Sequence, residues 1–577
     1  MPRFRRTLAS CCAVFPLLLT LSSTVAGGAD ETRKQPAVGQ ATEYVVLYGD
    51  GVDAATARAG LEAAGGRLLS ENTAVGVALV QSSEPDFVRR AGNQPALAGA
   101  ARNEPLWQEP APQARPKPAD EPPGTDPPPG TEGQATDEAA GPPTAEPLAP
   151  TQWDMAMIGA TDAGAFRTQP GDHRVQVGVI DTGIDARHPD IAPNFDPDLS
   201  RNFTKDIPAI DGPCEQPSCV DPANIDDGGH GTHVAGTIAA ALNGIGTAGV
   251  APGVSLVNLR AGQDSGFFFL KPTVDAITFA ADHGIDVVNM SFFTDPWLFN
   301  CRSNPADTPA EQLEQQTVIG ATQKALDYAW SKGVTLVAAL GNEHTDLGHK
   351  TTDTTSPDYP AGAAHPRNVD SSCITVPAEL PHVIAVSALG PSGKKADYSN
   401  YGRAQNDLAA PGGFLRDFAG SPAAYQVTNE VLAPYPANAL RDQGLIDSAG
   451  VPRTPDVVRD CSAGQCAYWR YIQGTSMASP HVAGVAALIV SQFGTEDPVH
   501  GGLTMRPADV ERILLASATK SACPAPVISY AAEGRDASYN AVCEGDRGHN
   551  SIYGAGIVNA SAAVSWAARS APSDVES

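Results

Sequence analysis

The chain has 577 residues, 42% hydrophobic and 18% charged, which is too apolar for a disordered chain and too mixed for a membrane bundle. At about 150 residues per domain it allows roughly four domain-sized pieces. Against 65 Asp and Glu stand 38 Lys and Arg, a net charge of −27, and so acidic a surface excludes phosphate backbones and anionic headgroups: neither nucleic acid nor a membrane is a natural partner.

Arg3, Arg5 and Arg6 precede an apolar stretch over residues 8–21 and small residues at 24–29, the pattern of an export signal over 1–29. The apolar run is short and broken by Pro16, so it reads as a removable signal and not as an anchor. No later stretch reads as long and apolar enough to cross a bilayer. Cysteine usage agrees with export: of ten, Cys11 and Cys12 lie in the signal and eight lie beyond residue 210. Cys214 with Cys219 and Cys461 with Cys466 are close enough in sequence for local bridges, and Cys301 with Cys373 and Cys523 with Cys543 would complete a set of four, one of many possible pairings. Metal binding would need Cys-x-x-Cys spacing or neighbouring His pairs, and neither accompanies these cysteines.

Residues 30–108 read as a small α+β unit. A strand-like run at 44–48 is followed by an Ala-rich helical stretch at 53–64, a stop at Gly65-Gly66 and a second strand-like run at 74–80, a β-α-β pattern. From 109 to 150 the composition changes to Pro, Glu, Asp, Gly and Thr, which cannot bury enough surface to offset its ordering entropy and reads as a linker.

Three short blocks in the remainder, 151–577, carry the chemistry. Residues 175–180 are an apolar run of buried-parallel-strand composition that ends in Asp181-Thr182-Gly183. A carboxylate at the carboxyl end of such a strand stands where open α/β sheets bind ligands, although a turn or cap explains Asp-Thr-Gly equally well. His230-Gly231-Thr232-His233 opens an Ala-rich helix. Two histidines three apart share a helix face and raise zinc, but the glutamate of the usual zincin spacing is missing, and a His at a helix start between glycines suits a general base. Gly474-Thr475-Ser476 leads into an Ala/Val/Leu helix, where Ser476 either caps the helix or meets a substrate oxygen whose developing charge the helix N-terminus stabilises.

Val-Ile-Asp-Thr-Gly at 179–183, His-Gly-Thr-His-Val-Ala-Gly-Thr at 230–237 and Gly-Thr-Ser-Met-Ala-Ser-Pro-His-Val-Ala-Gly at 474–484, in the order Asp, His, Ser, together resemble the subtilisin-like serine proteases, the subtilases. The resemblance covers residues 153–564. It implies a mainly parallel, doubly wound α/β sheet with helices on both faces, and a secreted serine endopeptidase working through an acyl-enzyme. Ser476 then matches the nucleophile, His230 the general base, Asp181 the carboxylate that orients it, and Asn342 the oxyanion-hole side chain. His233 is left a structural part.

The resemblance also implies substrate binding along Ser291, Phe292, Phe293, Leu340 and Gly341, with peptide added as a strand. Bulk at Phe293 departs from the small Gly-rich strand usual in the family, and Leu340 is expected to line the pocket before the scissile bond and to select apolar residues there. No cofactor is needed for catalysis. A structural calcium would use Asp190 and Asn243 with loop carbonyls. Residues 30–108 match the pro-region, a transient inhibitor and folding aid, and the mature enzyme is expected to be a monomer acting on protein or peptide. The alternative is an inactive or highly selective peptide-binding relative. Long insertions fall at 300–318, 345–378 and 414–470.

Overall fold

A computed structural model describes residues 41–103, 146–462 and 465–566. The export signal over 1–29 and the linker from 109 to 145 lie outside the described residues.

The N-terminal unit holds β1 (Thr42–Tyr48), α1 (Ala54–Ala64), β2 (Gly66–Asn72), β3 (Val77–Ser82), α2 (Phe87–Gly92) and β4 (Leu97–Arg102). Its strands form one antiparallel sheet in the order β2-β3-β1-β4. The expected β-α-β pattern is therefore corrected to four strands and two helices. Gly65 does cap α1, at φ +91, but Gly66 begins β2 at once, and β2 shows no clean alternation of buried and exposed residues.

Period-two alternation along β1 gives this sheet two buried faces. Tyr44, Val46 and Tyr48 pack with Leu61 and Phe87 of the unit's own helices. Val45 and Leu47 face the other way, into a cluster shared with the main body.

The main body is built on β5 (Gln176–Ile180), β6 (Arg201–Asn202), β7 (Ser255–Arg260), β8 (Val287–Met290), β9 (Thr335–Ala339), β10 (Val383–Leu389) and β11 (Leu408–Pro411), in the order β11-β10-β9-β8-β5-β7-β6, all parallel. Buried on both faces, these strands carry continuous apolar runs. Val287 and Val337 face one layer while Val288, Leu336 and Ala338 face the other. One layer contains α3 (His230–Ala239), α6 (Thr475–Phe493) and α7 (Pro507–Ser517); the opposite layer contains α4 (Leu270–Asp282) and α5 (Pro309–Ser331). This is the doubly wound α/β architecture expected, in one large body where length alone allowed more.

One boundary and one reading change. Residues 146–150, read as linker, pack on the body: Glu146 is buried and Leu148 N–H donates to Gly246 O (2.7 Å). By length and composition α6 could cross a membrane, contrary to the sequence reading, but 83% of its apolar window is buried as the central core helix. All four expected bridges form: Cys214–Cys219, Cys301–Cys373, Cys461–Cys466 and Cys523–Cys543.

The N-terminal sheet docks on α5. Leu313 reaches into the core of the small unit, and a Cβ on Gly99 of β4 would stand 2.3 Å from Thr317 Oγ1, so only glycine permits this approach. At the rim, Lys324 Nζ donates to Tyr48 O (3.0 Å) and pairs with Asp50 (2.9 Å), while Arg102 stands 3.6 Å from Glu314.

Burial at this interface pushes the Glu314 carboxyl up to about 7, against the pull of Arg102 and with the push of Glu311. A carboxyl raised on docking takes up a proton as the two parts associate. Docking is then strongest below the free carboxylate range and weakens as pH rises through about 7. In a Ser476→Ala chain nicked in the linker by an added protease, retention of the N-terminal fragment is expected to fall by up to about tenfold per pH unit across that window. Glu314→Gln is expected to flatten the profile; an unchanged profile would assign the pH response elsewhere.

Candidate active site

The functional side chains sit at the carboxyl ends of adjacent strands, where connections leave room for a ligand. Asp181 follows β5, Ser291 follows β8, and Asn342 lies just beyond β9. His230 and Ser476 are in the first turns of α3 and α6.

Asp181 is fully buried, and its Oδ1 accepts from Thr182 N–H (2.8 Å) and meets His230 Nδ1 at 2.8 Å. Asp181 Oδ2 is buried with no hydrogen-bond partner among the described residues. This contact suits the tautomer in which His230 Nδ1 donates to Asp181, which makes Nε2 the basic nitrogen.

A second buried carboxylate, missed in the sequence, shapes this corner. Asp226 accepts from Gly229 N–H (2.7 Å), Thr232 N–H (2.9 Å), Thr232 Oγ1 (2.6 Å) and Thr182 Oγ1 (3.0 Å), tying the start of α3 to the turn after β5. Burial raises its pKa against those bonds. The signal available was an Asp four residues before His230, beside the orphan amides of a helix start.

At the nucleophile, α6 carries Pro480 in its interior. Pro480 has no N–H to return to the carbonyl of Ser476, four residues earlier. Ser291 Oγ donates to that carbonyl instead (2.9 Å), and Ser476 Oγ donates back to Ser291 O (3.2 Å). Ser291 Oγ also meets Ser479 Oγ (2.9 Å) and accepts from Asn289 Nδ2 (2.8 Å). The Ser291 side chain, expected in substrate binding, is thus buried and bonded to Ser476 and Ser479.

Asn342 Oδ1 accepts from both Thr475 N–H and Thr475 Oγ1 (2.9 Å each), which leaves the amide nitrogen as the outward donor. A point one Cβ above Gly474 is 3.7 Å from both Asn342 Nδ2 and Ser476 N. Asn342 Nδ2 and the Ser476 backbone nitrogen thus flank one point beside Gly474, two nitrogen donors near the start of α6.

His233 does not join them. It is fully buried, its Nε2 contacts Val431 O (3.1 Å) and Arg470 O (3.0 Å), and burial pushes its pKa down to about 3. It is structural, as expected, and no zinc pair forms with His230.

The substrate-side residues separate. Phe292 is largely buried and stacks on Phe268 with centroids 4.1 Å apart; Phe293 is half-buried against the cluster of Leu298, Phe299 and Leu347. Gly341 stands at φ +108 beside Asn342. Leu340 corrects the expectation: it is 0% exposed within that same cluster, so it backs the wall of the cleft without lining it. The apolar selectivity read from Leu340 loses its basis.

The cluster exists because the insertions at 300–318 and 345–378 fold over one another. The fully buried Arg367 joins them, donating to Asp307 Oδ2 (3.0 Å) and Phe299 O (2.7 Å) and lying 4.8 Å from the Trp297 ring centroid.

For a metal, the expected Asp190 is buried and its Oδ2 accepts from Thr247 N–H (3.0 Å) and Trp469 Nε1 (2.8 Å), while Oδ1 has no partner among the described residues. Glu146, read as linker, stands nearby: Oε1 accepts from Gly244 N–H (2.9 Å) and Oε2 is likewise orphaned. Burial, with the Glu146 charge adding to it, pushes Asp190 up to about 7. Asn243 turns its amide to Pro189 O (3.0 Å) and its carbonyl to Ile245 N–H (2.9 Å). Two buried carboxylates with orphaned oxygens beside a carbonyl-rich loop fit a hard cation such as calcium. The acidic group of Asp206, Glu215, Asp221 and Asp264 surrounds Arg260, which pairs with three of the four.

A sequence model of the subtilase family matches residues 172–556. Subtilisin DY of Bacillus licheniformis is 29% identical over 321 residues, covering 56% of this chain and 78% of its own length. The thermophilic serine proteinase of Bacillus sp. (strain AK1) is 29% identical over 329 residues, and the chain spans 55% of that relative's length. Among solved structures, the epidermin leader peptide processing serine protease of Staphylococcus aureus has a TM-score of 0.59 at 20% identity, covering 92% of this chain and 99% of that one. Fervidolysin from Fervidobacterium pennivorans gives 0.52 at 21%, covering 92% and 61%. Those two likenesses are of fold, whereas the family match spans β5 through the nucleophile helix. The chain belongs to the subtilase family of serine endopeptidases.

Proposed function

We propose that this chain is an exported zymogen that hydrolyses peptide bonds through an acyl-enzyme on Ser476. The observation that carries the reading is the buried Asp181–His230 pair (2.8 Å), set at the carboxyl ends of the same sheet whose adjoining connections hold Ser476, at the start of α6, and Asn342, just beyond β9. In it, His230 Nε2 takes the Ser476 proton as Oγ attacks the scissile carbonyl. Asp181 supports the imidazolium that results, the N–H groups of Asn342 and Ser476 hold the oxyanion, and the same proton passes to the leaving amine. Water then repeats the sequence on the acyl-enzyme.

Residues 41–103 act as a removable inhibitor and folding partner. Their largely apolar docking on α5 supports this, as does the Pro-rich segment that follows as a site of cleavage. Asp190 and Glu146, with Asn243 and loop carbonyls, hold a structural calcium that supplies the charge two adjacent buried carboxylates lack. Substrates are extracellular proteins or peptides.

A fluorophosphonate serine reagent tests the reading. One label per mature molecule on Ser476, absent in Ser476→Ala, is expected, and Ser476→Ala is expected to remain unprocessed in a protease-free host. A folded wild-type protein that takes no label defeats the enzyme reading; normal processing of the Ala variant defeats self-cleavage.

A further inference from the structure

Asn342 stands on the irregular segment 340–345, after β9 has ended at Ala339, so no ladder of strand bonds fixes its position. One fully buried side chain makes most of the side-chain bonds to this segment. Asn400 Nδ2 donates to Leu340 O (3.1 Å) and Glu343 Oε2 (2.6 Å), and its Oδ1 accepts from Glu343 N–H (3.1 Å) and Thr345 N–H (2.7 Å). Its own N–H donates to Gly341 O (2.9 Å). Both amide protons and both carbonyl lone pairs of one carboxamide are thus used on a single loop. The fit is close: a Cβ at Gly341 would stand 2.4 Å from Asn400 Nδ2, so the loop takes its φ of +108 against this side chain. His344 N–H to Tyr398 O (2.7 Å) and Tyr401 N–H to Thr345 O (3.0 Å) complete the seam.

None of the side-chain bonds of Asn400 goes to Asn342 itself, whose Oδ1 is held from the other side by Thr475. The donor is therefore fixed between two anchors. Thr475 sets which way the Asn342 amide faces and, through Oγ1, also accepts from Gly341 N–H (3.1 Å), while Asn400 holds the rest of the loop beneath it.

We propose that Asn400 is a positioning residue for the peptidase reaction, holding the oxyanion donor Asn342 in place through the 340–345 loop without touching substrate. The proposal rests on the reading of Asn342 as that donor. Oxyanion stabilisation depends on donor distance at the moment charge develops, and a displacement near 1 Å costs about a hundredfold in rate. Because the oxyanion exists only after attack, the loss belongs in kcat and not in KM.

The test is steady-state kinetics on a peptide substrate, per active site counted with the fluorophosphonate, for Asn342→Ala, Asn400→Ala, Asn400→Asp, Glu343→Gln and each of the last three combined with Asn342→Ala. Asn342→Ala is expected to lower kcat by about 10²–10³. Asn400→Ala and Asn400→Asp are expected to lower kcat by about 10–100-fold with KM within about threefold, and Glu343→Gln, which weakens one bond, by about threefold. Combined with Asn342→Ala, each effect is expected to shrink to within about twofold, since the donor they position is gone.

Effects that multiply undiminished on the Asn342→Ala background, or that fall on KM, overturn the proposal; so does wild-type kcat in the Asn400 variants. If the Asn400 variants fail to fold and take no label, Glu343→Gln alone decides by the same criteria. A wild-type kcat in Asn342→Ala overturns the oxyanion reading, and this one with it.

Discussion

Replacing His230 or Ser476 by Ala is expected to lower kcat by about 10⁶, and replacing Asp181 by Ala by a smaller factor, about 10⁴. The asymmetry follows from the geometry. Without His230 nothing accepts the proton of Ser476 Oγ, and without Ser476 the acyl-enzyme cannot form. Without Asp181 the imidazole still reaches the cleft, but it loses the bond at Nδ1 and the buried charge that supports its cationic form. The triple substitution is expected to be no worse than the worst single one, because the three side chains act as a unit. Equal losses at Asp181 and His230, measured as kcat on one peptide substrate, would show that Asp181 does more than orient and support.

Loss of the Cys301–Cys373 bridge is expected to be the largest stability effect among the four disulfides. It closes a loop with a sequence separation of 72, the longest of the four. Chain entropy then assigns it about 4 kcal/mol, against about 2 kcal/mol for the two five-residue loops. The double Cys301→Ser, Cys373→Ser variant, made on Ser476→Ala to prevent self-digestion, is expected to lower the denaturant midpoint accordingly. Both cysteines belong to the cluster that buries Leu340, so activity in an otherwise wild-type background is expected to fall as well. An unfolding free energy within about 1 kcal/mol of the parent would mean that the Arg367 network holds the insertions without the bridge.

The candidate reactive residues could be picked out because each is embedded in a short local pattern whose element the structure forms: Asp181 at the end of an apolar strand, His230 and Ser476 at helix starts, Asn342 after a strand. What the sequence did not show is the set of partners that arrive from far along the chain. Asn400 reaches a loop some 57 residues away, Ser291 reaches Ser476 across 185, and Glu146 contacts a loop 98 residues on, so no window of neighbouring residues contains these pairs. Leu340 was misread for the same reason. Its local sequence is that of a cleft wall, but the insertion at 345–378 folds back and covers it. In the N-terminal unit the strand β2 escaped for a different cause: Gly65-Gly66 reads as a break, yet only Gly65 ends anything, and the edge strand β2 lacks the alternation that would mark it.

The proline of the nucleophile helix ties chemistry to recognition. Because Pro480 releases the Ser476 carbonyl to Ser291, the residue that forms the acyl-enzyme is bonded at both its hydroxyl and its carbonyl to the residue immediately preceding Phe292 and Phe293. If peptide is added along that edge as proposed, a substrate that shifts the edge also shifts Ser476, and substitutions at Phe293 are expected to alter rate and preference together.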